Sequence, residues 1–393
     1  MALSSIRTSR LSGRAVIRDP DEEHRASTPL ELLFDLTAVV AVGRAAAALH
    51  HELALDNIGV AISGYVAVFF AVWWAWMGFT WFASAHDADD VPYRLLTLVQ
   101  MAGVLVIAAG VNRVVEDDDF TVVTIGYVVM RLGLVGGWLR VARDQPATRT
   151  RALRYATGVT IMQVLWCIRL VLPEPIAQIA VPLLIAGEMA VPMWAERAAP
   201  RALFHPGHIE ERYGLFTIIV LGESILSATV GVQTAFDTTG LTAELLAIGV
   251  SGLVLAFACW WIYFDHPGHL SPTPELAFRW GYAHVAIFAS LAAIGAGLAV
   301  ATGASSGHGS DRVAALAVAI PTAGFLLGLA LVMLSTGLSP TDERVVPKLA
   351  AAPLVVVVGA LAPLCVAVAA CALSMAVLAA WMTMAGPPPL PTT

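Results

Sequence analysis

The chain has 393 residues, of which 58% are hydrophobic and only 13% charged, and its mean hydropathy is +0.76. A water-soluble domain carries about a quarter charged residues, because a compact core must still present a polar exterior. This composition excludes one and points to a chain whose solvent is the lipid bilayer. The net charge is −7, and no basic stripe with interleaved aromatics marks a nucleic-acid surface, so no nucleic-acid partner is expected.

Residues 1–29 are polar and basic, with Arg7, Arg10, Arg14, Arg18 and Arg25 beside the acidic patch Asp21-Glu22-Glu23. The apolar run that a cleaved signal peptide needs is missing before residue 30, and the segment reads as a short disordered cytoplasmic tail. A spanning helix needs about 20 mostly apolar residues. Such stretches follow at 32–51, 57–82, 94–112, 120–141, 153–172, 176–195, 213–231, 243–264, 280–302, 313–336, 348–362 and 364–385. The last two come from splitting 348–385 at Pro363, the alternative being one long kinked helix. Residues 386–393 form a Pro-rich tail that cannot be helical, since proline lacks the N–H.

Lysine and arginine collect in alternate loops. Arg94, Arg140, Arg143, Arg149, Arg151, Arg154, Arg197, Arg201, Arg212, Arg279, Arg344 and Lys348 share the side of the N-terminal arginines, and only Arg113 and Arg312 fall in loops on the other. Positive loops stay inside, so both termini are expected in the cytoplasm of an inner-membrane protein. The fold class is therefore an all-α integral membrane protein of about twelve transmembrane helices.

Two halves resemble each other. Trp73-Trp74-Ala75-Trp76 precedes an acidic, His-containing loop and Arg94, while Trp260-Trp261-Ile262-Tyr263-Phe264-Asp265 precedes a His-containing loop and Arg279. Leu33-Phe34 aligns with Leu215-Phe216 at a similar offset. The expected organisation is a first six-helix half over 30–196 and a second over 197–385, as two parallel repeats of the kind transporters use. The Trp73–Trp76 run serves an interfacial belt or a ligand surface, with part of it packed between helices.

Charges inside spans are costly and need a partner or a role. Glu31 and Asp35 lie i,i+4 on one helix face. Glu223, with Ser224 beside it, lies deep in a later span, and Glu188, Arg131, Arg169 and His284 also interrupt apolar runs. Local pairing is the expected use of Arg131, and interfacial anchoring that of Arg169. Asp35 and Glu223 are the candidates for proton exchange. Glu31, Ser224, Asp265 and His284 join them as transport-linked residues, with Glu211 and Arg212 as a supporting ion pair. The loops gather His86, Asp87, Asp89 and Asp90, then His205, His208, Glu210 and Glu211, then Asp265, His266 and His269. The first group is the best metal candidate by donor type, although no spacing matches a closed zinc motif. Cys167, Cys259, Cys365 and Cys371 sit in apolar runs with no C-x-x-C pair and read as buried hydrophobes.

Several of these landmarks resemble one family. Pro29-Leu30-Glu31-Leu32-Leu33-Phe34-Asp35-Leu36 is similar to the opening motif of the bacterial low temperature requirement protein A family (LtrA). Glu211-Arg212-Tyr213-Gly214-Leu215-Phe216-Thr217-Ile218-Ile219-Val220-Leu221-Gly222-Glu223-Ser224 resembles its most specific signature. The Trp73 and Trp260 runs, Asp87 to Asp90 with Tyr93-Arg94, and His284 also look like family landmarks. Leu33 stands where the family often has a second Phe, and Thr37-Ala38 where bulkier residues are common, which alters packing but keeps both carboxylates. The resemblance implies a bacterial membrane protein named for cold growth, and supplies no reaction.

The leading expectation is a secondary transporter of a small or amphipathic solute, coupled to protons through buried carboxylates. The alternatives are an intramembrane enzyme acting on a lipid or lipid-linked substrate, and a membrane sensor or scaffold. Besides the bilayer, the expected partner is an unidentified small-molecule or lipid ligand. No cofactor is expected.

Overall fold

The computed structural model of the chain describes residues 13–15, 17–18, 22, 25–198, 203–265, 270–271 and 273–385. The expectations placed on Arg7, Arg10, Arg201, His266, His269 and the 386–393 tail lie outside the described residues.

Every regular element among the described residues is helical. The α-helices are α1 (Pro29–Ala54), α2 (Ile58–His86), α3 (Val91–Asp117), α4 (Thr121–Asp144), α5 (Arg149–Arg169), α6 (Ile176–Glu196), α7 (Pro206–Thr239), α8 (Ala243–Asp265), α9 (Pro274–Ser305), α10 (Asp311–Ser335), α11 (Val346–Leu361) and α12 (Leu364–Ala385). A bilayer leaves no water for unpaired backbone groups, so a spanning segment must close its hydrogen bonds within itself, as a helix does. Ten of these helices are long and apolar enough to cross a membrane. The exceptions are α5, which carries Arg149, Arg151 and Arg154 in its first two turns, and α11, which has 16 residues.

Local chemistry sets the ends. Asp90 caps α3 by accepting from the Tyr93 N–H, and Pro92 occupies the first turn, where its missing N–H costs nothing. Ser310 caps α10 in the same way. Pro363 separates α11 from α12, with Ala362 extended between them, so residues 348–385 form two helices rather than one kinked helix.

The chain divides into two compact units. Unit 1 comprises Met1–Ala41, Phe70–Arg212 and Pro272–Glu275. Within it α3 packs on α4, α4 on α5 and α5 on α6, as short connections between successive helices require. Its interior holds Phe34, Trp73, Trp76 and Phe79, all fully buried. The Trp73–Trp76 run is thus core packing and not an interfacial belt. Leu105, Leu132 and Leu183 point outward, an arrangement suited to lipid and hazardous in water.

Unit 2 comprises Val42–Phe69, Tyr213–Ser271 and Leu276–Thr393. Here α10 packs against α11 and α12, and α12 also packs against α8. Helix α9 is its most buried element. Trp260 and Trp261, whose run resembles the buried Trp run in sequence, are about half exposed at 48% and 49%.

The described residues of the N-terminal segment depart from the expected disordered tail. They are non-helical and hydrogen-bonded within unit 1. Ala15 N–H donates to Asp144 at 3.0 Å, Arg18 N–H donates to the Ala85 carbonyl at 3.0 Å, and Arg140 donates to the Gly13 carbonyl at 2.6 Å. Extended chain leaves its backbone donors and acceptors open, and helix-end groups in unit 1 take them up.

Two glycines permit close helix approach. A Cβ at Gly103 of α3 would stand 2.5 Å from the Met130 N of α4, and one at Gly297 of α9 would stand 2.1 Å from the Ala317 carbonyl of α10. Both obstacles are backbone, so the helices themselves must move. Gly103→Val is expected to lower the stability of the detergent-solubilised protein by about 1–3 kcal/mol, read from chemical unfolding. An unchanged midpoint would show that α3 and α4 do not meet at this point.

Candidate functional site

The residues before α1 read Thr28-Pro29-Leu30-Glu31, a capping box with proline in the first helical position. Thr28 Oγ1 accepts the Glu31 N–H at 3.3 Å, and Glu31 Oε2 accepts the Thr28 N–H at 2.7 Å. One oxygen of Glu31 is therefore committed to the helix end. The other, Oε1, faces a cluster of charges in the interior of unit 1. Asp35 follows one turn later on the same face. Both carboxylates are fully buried.

Arg212, in the second turn of α7, answers Asp35. Its Nε donates to Asp35 Oδ2 at 3.2 Å and its Nη2 to Oδ1 at 2.5 Å, the bidentate fork that guanidinium and carboxylate favour. Nη2 also donates to the Glu31 carbonyl at 3.3 Å, and Nη1 stands 3.3 Å from Glu31 Oε1. Trp76 Nε1 donates to Asp35 at 2.5 Å. The Arg212 guanidinium lies 5.8 Å over the Phe79 ring, which stacks on Phe34 at 4.2 Å. Arg212, Asp35 and Glu31 show no side-chain exposure.

Around Glu31 Oε1 stand His208 Nε2 at 3.2 Å and Arg25 Nη2 at 3.4 Å. Arg25 also stands 3.8 Å from Asp87. Three carboxylates, two guanidiniums and one imidazole thus share one buried region. The Tyr93 hydroxyl and Thr80 Oγ1 are buried in unit 1 without hydrogen-bond partners among the described residues, and Tyr93 lies within the electrostatic reach of Glu31, Asp87, Arg25 and Arg212.

Glu211 and Arg212 do not form the expected ion pair. Successive residues on a helix point apart, and Glu211 instead accepts the Ser27 N–H at 3.2 Å. The expected metal group also fails to converge. His86 packs against Phe82 and Trp138, Asp87 turns to Arg25, Asp89 pairs with Arg94, and Asp90 caps α3 while pairing with Arg140. Arginines have claimed the carboxylates. Among the described residues no group of three or more His, Cys, Asp or Glu side chains is placed to hold a metal.

The remaining candidates lie in unit 2. Ser224 Oγ lies within hydrogen-bond distance of the carbonyls of Val220 at 2.9 Å and Leu291 at 2.8 Å, and its single O–H shared between them joins α7 to α9. His284 is enclosed by the rings of Trp280 and Tyr213, at 4.1 and 4.9 Å, and its Nδ1 bonds the Trp280 carbonyl at 2.8 Å. Asp265 accepts from Thr383 of α12 at 3.4 Å. Glu223, midway along α7, is half-buried, and its carboxylate fills the space that a Cβ on Gly43 would need. It has no hydrogen-bond or ion-pair partner among the described residues. A cavity of about 360 Å³ lies between α7, α8 and α9, lined by Leu221, Ile225, Val232, Leu245, Leu253 and Leu298 among others.

A second polar centre in unit 1 surrounds Glu188 of α6. Trp74 Nε1 and the Tyr127 hydroxyl each donate to it at 2.9 Å, and Gln163 Nε2 at 3.1 Å. Arg131 stands 3.6 Å away and donates to the Tyr127 hydroxyl at 2.8 Å, its guanidinium 4.9 Å over the Tyr127 ring. Arg131 is therefore paired within the helices, as expected, and Glu188 is held by side chains from α2, α4 and α5. The sequence signal was the mere presence of Glu, Arg and Gln in apolar runs, which says nothing of their convergence. At the end of α5, Arg169 bonds the Ala177 carbonyl at 3.3 Å and covers the Phe120 ring at 4.5 Å.

Removing one member of a buried ion pair strands the other. Asp35→Ala is expected to cost about 3–5 kcal/mol in chemical unfolding. The double change Asp35→Leu with Arg212→Met should cost less than the two single changes together. Strict additivity would mean that the pair does not form.

Burial, then the Glu31 carboxylate, push the Asp87 carboxyl above its ordinary value of 3.8, and Arg25 pulls it part of the way back. The folded chain binds this proton more tightly than the unfolded chain does, so stability falls as pH rises from 3.8 through the raised folded value. Asp87→Asn removes that fall. The melting temperature of the variant should gain on the wild type as pH rises above about 4, and a difference independent of pH would contradict the assignment.

The family model for the bacterial low temperature requirement A protein (LtrA) matches residues 26–385. An uncharacterised protein of Rhizobium meliloti (strain 1021) is 28% identical over 260 residues, which cover 64% of this chain and 61% of that relative. The match thus spans about three fifths of the relative's length. No solved structure matches the chain. The capping box, both buried carboxylates, Arg212 and the Glu188 centre all fall inside a match that covers nearly the whole chain, and the chain belongs to the LtrA family.

Proposed function

We propose that this chain is a secondary transporter of a small amphipathic solute in the bacterial inner membrane, with proton coupling through Glu223. In this reading all twelve helices cross the membrane, including the charged α5 and the short α11. Both termini are cytoplasmic, and the two six-helix halves over 30–196 and 197–385 are parallel repeats.

The observation that carries the reading is the state of Glu223. A charge in mid-bilayer costs about 3 kcal/mol on insertion scales. Asp35 meets that cost with Arg212, and Glu188 with four neighbouring donors. Glu223 has no such partner among the described residues, although it sits at the middle of a 34-residue helix. A carboxylate retained there without a cation is suited to gain and lose a proton, and its charge then favours one conformation over another. Asp35, held on both oxygens, passes from a proton carrier to a structural anchor. The apolar cavity formed partly by α7 fits the nonpolar part of an amphipathic solute.

The test is metabolite and lipid profiling of cells lacking the gene, at low and normal temperature, complemented with wild type or Glu223→Gln. A soluble amphipathic metabolite should accumulate on one side of the membrane, and wild type but not Glu223→Gln should restore it. A missing lipid class with its precursor building up would replace transport by lipid chemistry.

A further inference from the structure

Arg25 lies outside the helices, in the non-helical stretch before α1, yet its side chain is 1% exposed. Its surroundings are built by the helices. Nη1 donates to the Ser84 carbonyl and Nη2 to the Ala83 carbonyl at 2.8 Å. These carbonyls belong to the last turn of α2, where helical C=O groups lack internal partners and the helix dipole is negative. Glu31 and Asp87 add two carboxylates, at 3.4 and 3.8 Å. His208 Nδ1, 3.3 Å from Nη1, adds a ring nitrogen that accepts when its proton is on Nε2. The recess therefore offers acceptors from α1, α7 and the end of α2, and the cation that occupies it comes from a flanking segment. The Nε of Arg25 has no partner among the described residues, so the tether does not use the whole donor set of its own guanidinium there.

We propose that this recess is a guanidinium-binding site of unit 1, and that Arg25 is its tethered occupant, displaceable by a ligand carrying a free guanidinium or amidinium group. A planar fork with five N–H donors reaches the two adjacent carbonyls, Glu31 and His208 together. A compact ammonium has three donors at one point and reaches fewer of them. The segment that carries Arg25 is anchored further back by the bonds from Gly13, Ala15 and Arg18, so occupancy of the recess is coupled to the seating of the N-terminal segment. A tether of this length acts as a competitor at an effective concentration in the millimolar range. The intact protein should therefore ignore micromolar guanidinium ligands, and a protein without the Arg25 side chain should not. This assignment is independent of transport.

The experiment uses the full chain purified in lipid nanodiscs, with labelled methylguanidinium as the probe in equilibrium binding. Arg25→Ala should bind methylguanidinium at least tenfold more tightly than wild type, and methylammonium or sodium chloride at equal ionic strength should not compete. Asp87→Asn added to Arg25→Ala should weaken that binding at least tenfold. Methylguanidinium should also raise the melting temperature of Arg25→Ala more than that of wild type. Should Arg25→Ala not fold, Arg25→Gln carries the same comparisons, since its amide retains a donor to the carbonyls without the charge. Equal binding to wild type and variant would overturn the assignment, as would equal competition by methylammonium or indifference to Asp87→Asn.

Discussion

A guanidinium enclosed by apolar helices must have its acceptors arranged around it, and Arg212 sets that requirement in unit 1. It takes both oxygens of Asp35, reaches the carbonyl and carboxylate of Glu31, and rests over the Phe79 ring. Asp35 in turn accepts from Trp76 of α2. The start of α1, the middle of α2 and the first turns of α7 must therefore be in register for any of these charges to be tolerated. Breaking such a register leaves an uncompensated charge in a medium that cannot solvate it, and the buried pair thereby specifies a single arrangement of these elements.

The acidic groups differ in how completely they are satisfied, and that difference separates structure from function. Glu188 is closed in by Trp74, Tyr127, Gln163 and Arg131, a network whose members all come from helices of one unit. These contacts tie three helices to one carboxylate and so favour a rigid arrangement, although Arg131 Nε and Gln163 Oε1 have no hydrogen-bond partner among the described residues. Glu31 and Asp87 share Arg25, a cation supplied by non-helical chain and so the most replaceable member of its cluster. Glu223 lies against Gly43 and has no hydrogen-bond or ion-pair partner among the described residues. Along this series the carboxylates pass from enclosure by helix side chains, through pairing with a cation from non-helical chain, to a half-buried group without an ion-pair partner among the described residues.

The likeness between the two Trp runs in the sequence did not extend to their burial. Trp73 and Trp76 are enclosed, whereas Trp260 and Trp261 are half exposed. Aromatic runs of like composition serve a core in one unit and a surface in the other, because burial depends on what packs against a helix face. The same limit explains the ion pairs. Glu211 and Arg212 are neighbours in sequence and point apart on the helix, while Asp35 and Arg212, remote in sequence, meet. The acidic run His86 to Asp90 looked like a metal loop by donor type. Each carboxylate instead found an arginine that periodicity could not have paired with it.

What the sequence determined by itself was local or compositional. The excess of apolar residues required a membrane solvent, the absence of water there required helices, and Pro363 required either a kink or a break, which the structure resolves as a break between α11 and α12. Thr28-Pro29-Leu30-Glu31 carried its own helix start, because both hydrogen bonds of a capping box lie within four residues. The tertiary structure alone decided which charges meet. It brought Arg25 out of an apparent tail into a helix end, gave Asp35 to Arg212, closed the donors around Glu188, and left Glu223 open. The physical reason is range. A helix forms from bonds between residues four apart, whereas a buried charge is settled only when packing brings a partner to it from a distant part of the chain.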